Sequence, residues 1–373
     1  MPIQTSRRAF LHSSLAGVAA AACSRSQAPT SGAPSAAANG GGVPSAGSKP
    51  PEGPRPGAPN EGDVALPKDG VMPKRTLGKT GEKVSMFGLG GFHIGIPKDE
   101  REGVRLIRRA LDGGLNFLDN CWDYHDGDSE LRMGKALKDG YRDKAFVMTK
   151  IDGRTRQAAA GQIDQSLQRL GVDWIDLLQL HEVIRLDDAE RVFAEGGAIE
   201  AIVAARKAGK IRYVGFTGHK SPDIHLHMLE TADQHGFRFD AVQMPLNPMD
   251  PHHASFEKKV LPVLLQKGIG VLGMKPLGSG IILESGVVTA PECLRYAASL
   301  PTSVVITGCE TMGVLEQALA IGYGFQPMGA DERAALLART AKVAGAGKYE
   351  RFKISEQFDG TTKNPKWLEK AEI

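Results

Sequence analysis

Eight short apolar runs recur between residues 85 and 307, and stretches with helical periodicity separate them. The runs span 85–89, 115–119, 145–150, 174–181, 211–216, 241–244, 269–274 and 303–307. Between the first two, apolar residues repeat at Val104, Ile107 and Leu111. Between the third and fourth they repeat at Ile163, Leu167 and Leu170. Further helical segments are expected over 130–138, 198–207, 222–235, 256–267, 290–299 and 311–322. Eight strand–helix units in about 250 residues imply an α/β fold, a closed parallel (β/α)8 TIM barrel. A doubly wound open sheet would want a GxGxxG turn after its first strand. Here the first run leads into Gly88-Leu-Gly90-Gly91-Phe-His-Ile-Gly95, which lacks the third glycine at that spacing. Upstream, two short apolar segments around the turns at Gly78 and Gly81 read as a β-hairpin.

The ends of the chain have a different texture. Arg7-Arg8 is followed by Phe10-Leu11 and an Ala-rich stretch to Ala22, the pattern of a twin-arginine export signal over 1–23. Cys23 closes Ala20-Ala21-Ala22 and is a candidate for a lipid anchor. Residues 24–70 are dense in Pro, Gly, Ala and Ser, and read as a disordered linker. The barrel is expected over 71–328 and a helical or extended tail over 329–373. Export through the twin-arginine machinery would place the protein in the periplasm, or tether it to a membrane as a lipoprotein.

Composition removes several classes of function. Lys and Arg number 46 against 43 Asp and Glu, a net charge of +3, which is too even for a dedicated nucleic-acid binder. The four cysteines, Cys23, Cys121, Cys293 and Cys309, form no CxxC pair, zinc pattern or disulfide framework. The tail has no cysteine, so no iron–sulfur cluster is implied, and no bound metal is expected.

Chemistry in such barrels sits at the C-terminal ends of the strands. Several runs there end in polar residues: Asp119, Lys150, His181, Thr217 and Gln243. Asn116-Phe-Leu-Asp119 with Tyr124 five residues on, Val147-Met-Thr-Lys150, and Leu178-Gln-Leu-His181 together resemble the aldo-keto reductase superfamily. The resemblance covers about 74–325. It implies that the hairpin plugs the barrel floor. It also implies an NAD(P)-dependent oxidoreductase acting on an aldehyde, ketone or sugar-like alcohol. Tyr124 would be the general acid/base, tuned by Lys150, which Asp119 holds, while His181 orients the carbonyl. A free phenol near pKa 10 is a reluctant proton donor, and a neighbouring ammonium would lower that value.

The same resemblance assigns cofactor contacts for NADP(H) or NAD(H) to Gly90, Gly91, Asp119, Thr217, Gln243, Met274, Leu277, Gly278, Gly308 and Gln317. Phe92 and Trp122 would wall the substrate pocket. Gly218 stands where a carboxamide-binding amide is usual, and 308–322 carries no basic residue for a 2′-phosphate. Lys275 is the cation that would compensate. Two other functions compete: a cofactor-binding sensor or partner subunit with little turnover, and a metal-dependent barrel hydrolase.

Overall fold

The computed structural model describes residues 58–372 apart from 61, 63, 68 and 69. The expected export signal, Cys23 and the expected linker up to residue 57 lie outside the described residues. In chain order the strands are β1 (Lys74–Thr76), β2 (Lys83–Ser85), β3 (Phe87–Gly90), β4 (Phe117–Asp119) and β5 (Phe146–Ile151). Then follow β6 (Ile175–Leu180), β7 (Ile211–Thr217), β8 (Ala241–Pro245), β9 (Gly270–Met274) and β10 (Val304–Thr307). Strands β3 to β10 pair in parallel and close into an eight-stranded barrel through β10 and β3, as the alternation of runs and helices predicts.

Strand β1 pairs antiparallel with β2, with Arg75 opposite Val84. This hairpin brings Leu77 and Val84, both 0% exposed, against Phe117, Phe146, Leu177, Leu272 and Val304. Those residues form the lower interior of the barrel, so the hairpin stops its N-terminal end with apolar side chains. Fully burying one such leucine contributes about 1.5–3 kcal/mol. The larger apolar core lies outside the strands, where Leu118, Val147, Leu178 and Leu180 meet the helices. Alternation along each strand therefore divides two cores, as a two-residue side-chain period requires. Along β6, Leu177 and Gln179 share one face while Leu178 and Leu180 share the other.

The helices begin where the sequence offers caps. Thr155, Ser221, Thr289 and Thr311 each accept a backbone N–H at the start of a helix, and Thr289 with Glu292 makes a reciprocal capping box. The helix Asp187–Phe193, only two turns long, escapes the periodicity reading. It is anchored by buried Asp188, which accepts from the backbone of Ile184 and Arg185 and pairs with Arg154 at 2.8 Å.

The flanks differ from expectation at one end. A linker disordered as far as residue 70 is too long, because its described end packs on the barrel. Leu66 joins the outer core, and the Gly62 N–H donates to Glu316. The carbonyls of Pro59 and Asn60 press on Gly313 so closely that a Cβ there would sit 2.0 Å from one of them. The tail is helical, with Ala330–Ala341 followed by short helical turns and no strand among its described residues.

Candidate active site

The barrel mouth is built by residues one or two positions beyond the last apolar side chain of neighbouring strands. Lys150 is 1% exposed, and its Nζ donates to Asp119 Oδ1 at 2.6 Å, to the Asn120 carbonyl at 2.6 Å and to the Tyr124 hydroxyl at 3.2 Å. The same ammonium lies 4.7 Å from the centre of the Tyr124 ring. Gln243 Nε2 donates to the other Asp119 oxygen at 2.7 Å. His181 meets the Tyr124 ring edge to face, centroids 5.7 Å apart. Tyrosine, lysine, aspartate and histidine from three strand ends and one loop therefore converge.

Electrostatics at this mouth is set by burial. Burial pushes the Tyr124 phenol well above its ordinary value, and the charges of Asp119, Cys121, Asp123 and Glu182 add to the rise. The expected fall under Lys150 is not met: that ammonium sits closer to Asp119 than to the phenol, and desolvation wins. Burial likewise lowers His181, so its imidazole is neutral near pH 7. Its Nδ1 faces Asp152 Oδ1 at 3.0 Å, Cys121 Sγ at 3.2 Å and Asp123 Oδ1 at 3.5 Å. Burial and repulsion from Asp152 raise Asp123 to about 7, and burial and repulsion from Glu182 raise Asp152 to about 8.

The other sequence-predicted residues fall as follows. Thr217 ends β7, and its hydroxyl lies 3.7 Å from the Met274 sulfur at the end of β9. Gln243 spends its N–H on Asp119, while its Oε1 is buried with no hydrogen-bond partner, an acceptor left for a carboxamide N–H. Gly90 ends β3, and a Cβ on Gly91 would meet the Asp119 carbonyl at 2.4 Å, so only glycine lets the chain pass there. Gly218 has a similar reason: a Cβ would lie 2.1 Å from the Val183 carbonyl, which excludes the amide side chain expected there. Gly278 sits at φ +54° just after Leu277, and a side chain on Gly308 would strike the His93 ring. Gln317 lies half-buried on the helix Met312–Tyr323.

Phe92, 39% exposed, packs edge to face on Tyr124 and beside His125. Trp122 is not an open pocket wall. It is 0% exposed, its N–H donates to Gln165, and Trp367 of the tail packs against it. Lys275 does not stand free for a 2′-phosphate: it is turned at φ +54° and its ammonium lies 5.4 Å from the ring centres of both Phe352 and Phe358.

Sequence reasoning missed Asp152 and Glu182 beside His181 and the polar contacts of the tail with Glu182. Glu182, at φ +45°, accepts from the backbone of Gly360 and Thr361 and from the Thr361 hydroxyl. His219 and Lys220 both bind Asp359. A signal for some of these was present. Cys121, Asp152 and His181 each lie two residues beyond Asp119, Lys150 and Gln179, the spacing that keeps side chains on one face of an extended chain.

The sequence profile of the Aldo/keto reductase family matches residues 86–321, and the chain belongs to that family. It is 29% identical over 271 residues to L-galactose dehydrogenase of Arabidopsis thaliana, covering 67% of this chain and 79% of that protein. It is 26% identical over 227 residues to an uncharacterized oxidoreductase of Bacillus subtilis, covering 55% of this chain and 67% of that one. Among solved structures, the holo form of an aldo-keto reductase from Bacillus halodurans superposes with a TM-score of 0.60 at 23% identity, covering 74% of this chain and 99% of that one. This last likeness shows the fold.

Proposed function

We propose that the protein reduces an aldehyde, ketone or oxidised sugar-like substrate with NADPH or NADH, using Tyr124 as proton donor. The carrying observation is the buried chain Asp119–Lys150–Tyr124, with links of 2.6 and 3.2 Å, beside a neutral His181. When bound, the nicotinamide cofactor supplies the hydride. Gln243 Oε1, buried and without a partner, fits the cofactor carboxamide, with Thr217 and Met274 at the neighbouring strand ends. Asp119 holds Lys150 in place through the 2.6 Å contact. A phenol held protonated by burial can release its proton to an oxygen that becomes an alkoxide, a far stronger base, and the Lys150 ammonium then stabilises the phenolate left behind. That arrangement favours the reductive direction. The likeness to L-galactose dehydrogenase supports a polyhydroxylated substrate.

The test is stopped-flow oxidation of NADPH and NADH against a panel of aldehydes, ketones and sugar lactols. Tyr124→Phe is expected to lower the hydride-transfer rate by roughly 10²–10⁴-fold while cofactor titration stays unchanged. A rate equal to the unaltered protein's would reject the role of Tyr124. Arg7-Arg8 further supports export through the twin-arginine machinery to the periplasm, with Cys23 as a membrane tether.

A further inference from the structure

Four ligand-type side chains meet on the Nδ1 side of His181. Cys121 Sγ, His181 Nδ1 and one oxygen each of Asp123 and Asp152 all lie within 4.8 Å of one another. From Nδ1 the separations are 3.0 Å to Asp152, 3.2 Å to the sulfur and 3.5 Å to Asp123. A tetrahedral ion with bonds of about 2.0–2.3 Å sets neighbouring ligand atoms roughly 3.3–3.8 Å apart. The four groups thus stand near ligand spacing with little movement required.

A second observation points the same way. The Asp152 side chain is 0% exposed, yet its Oδ2 has no hydrogen-bond partner, and buried Asp123 Oδ1 has none either. A buried carboxylate without a partner is costly. The nearby cations are engaged elsewhere. Lys150 is held by Asp119, and Arg154 binds Asp188 together with the backbone carbonyls of Asp152, His181 and Glu182.

We propose that Cys121, Asp123, Asp152 and His181 Nδ1 form a binding site for one divalent cation of the zinc class. A thiolate and an imidazole select such an ion over magnesium or calcium, which take oxygen ligands. Binding releases to solvent the thiol proton and the protons that burial holds on the two carboxyl groups, and satisfies both carboxylates. It also fixes a tautomer. With Nδ1 on the metal, the ring proton stays on Nε2, which can then donate to a substrate oxygen. Were Nδ1–H given to Asp152, Nε2 would be an acceptor only. This consequence rests on the reductase reading; the site itself does not.

The test uses the full chain purified without chelator. Elemental analysis is expected to find one zinc-class ion per chain. After its removal, Co²⁺ titration should give visible bands of tetrahedral intensity plus near-ultraviolet thiolate charge transfer. Cys121→Ser should abolish the charge transfer, and Asp152→Asn should weaken Co²⁺ binding by roughly 10-fold or more. No co-purified metal and no visible band in the unaltered protein would overturn the site. So would bands that both variants, folded by circular dichroism, leave unchanged. Hydride transfer measured on the same samples separates this outcome from failure of the reductase reading.

Discussion

At the residue scale, burial decides which charges the protein can carry. His225 shows it away from the mouth. It is 0% exposed, lies between Phe216 and Phe256, and holds a long 3.4 Å contact from Nε2 to the Gln243 carbonyl beside the Ser221 backbone. Burial lowers its pKa to about 4. Below its ordinary pKa of about 6.5 the unfolded chain binds a proton that the folded chain refuses, so stability rises with pH between about 4 and 6.5. Denaturant titrations across that window should show a loss of about 3 kcal/mol toward the acid end. In His225→Leu that portion of the slope should vanish; an unchanged slope would assign the acid loss to other groups.

At the scale of elements, the tail is held to the barrel by buried charge. The Lys353 side chain is 1% exposed, and its Nζ donates to Asp250 at 2.7 Å, to Glu350 at 2.8 Å and to the His253 carbonyl at 2.8 Å. Asn247, after β8, donates to Glu350 at 3.0 Å. Removing one member of such a cluster strands the others in low dielectric. Lys353→Met is therefore expected to cost about 3–5 kcal/mol, read as a lower urea midpoint, whereas Lys363→Met, on an exposed side chain, should change little. The barrel strands were legible in the sequence because each is a short apolar run bounded by turns, and Asp119, Lys150 and His181 were legible as polar endings of such runs. The tail was not. Its contacts, such as Glu182 to Gly360 and Thr361, join residues far apart along the chain, and no local pattern encodes them. Asp152 was hidden for another reason: an acid just past a strand is usually solvated, and only closure of the barrel buries it beside His181.

At the scale of the whole molecule, the tail and the proposed export signal bear on one question, which is when the site comes into being. Trp367 packs on Trp122, Gly360 and Thr361 cap Glu182, and Phe352 and Phe358 cover Lys275. The mouth is thus completed by residues 352–367, so the site forms only once that segment has docked on the closed barrel. A twin-arginine route accepts folded proteins, and nicotinamide cofactors belong to the cytoplasm, so the cofactor would be captured before transport and carried out. Fractionated cells should hold the full chain in the periplasm or at the membrane, and the double variant Arg7→Lys, Arg8→Lys should be retained in the cytoplasm. Nicotinamide bound per chain is expected to be equal in the two pools. An exported pool without it would refute loading before transport while leaving the reductase chemistry of the cytoplasmic pool intact.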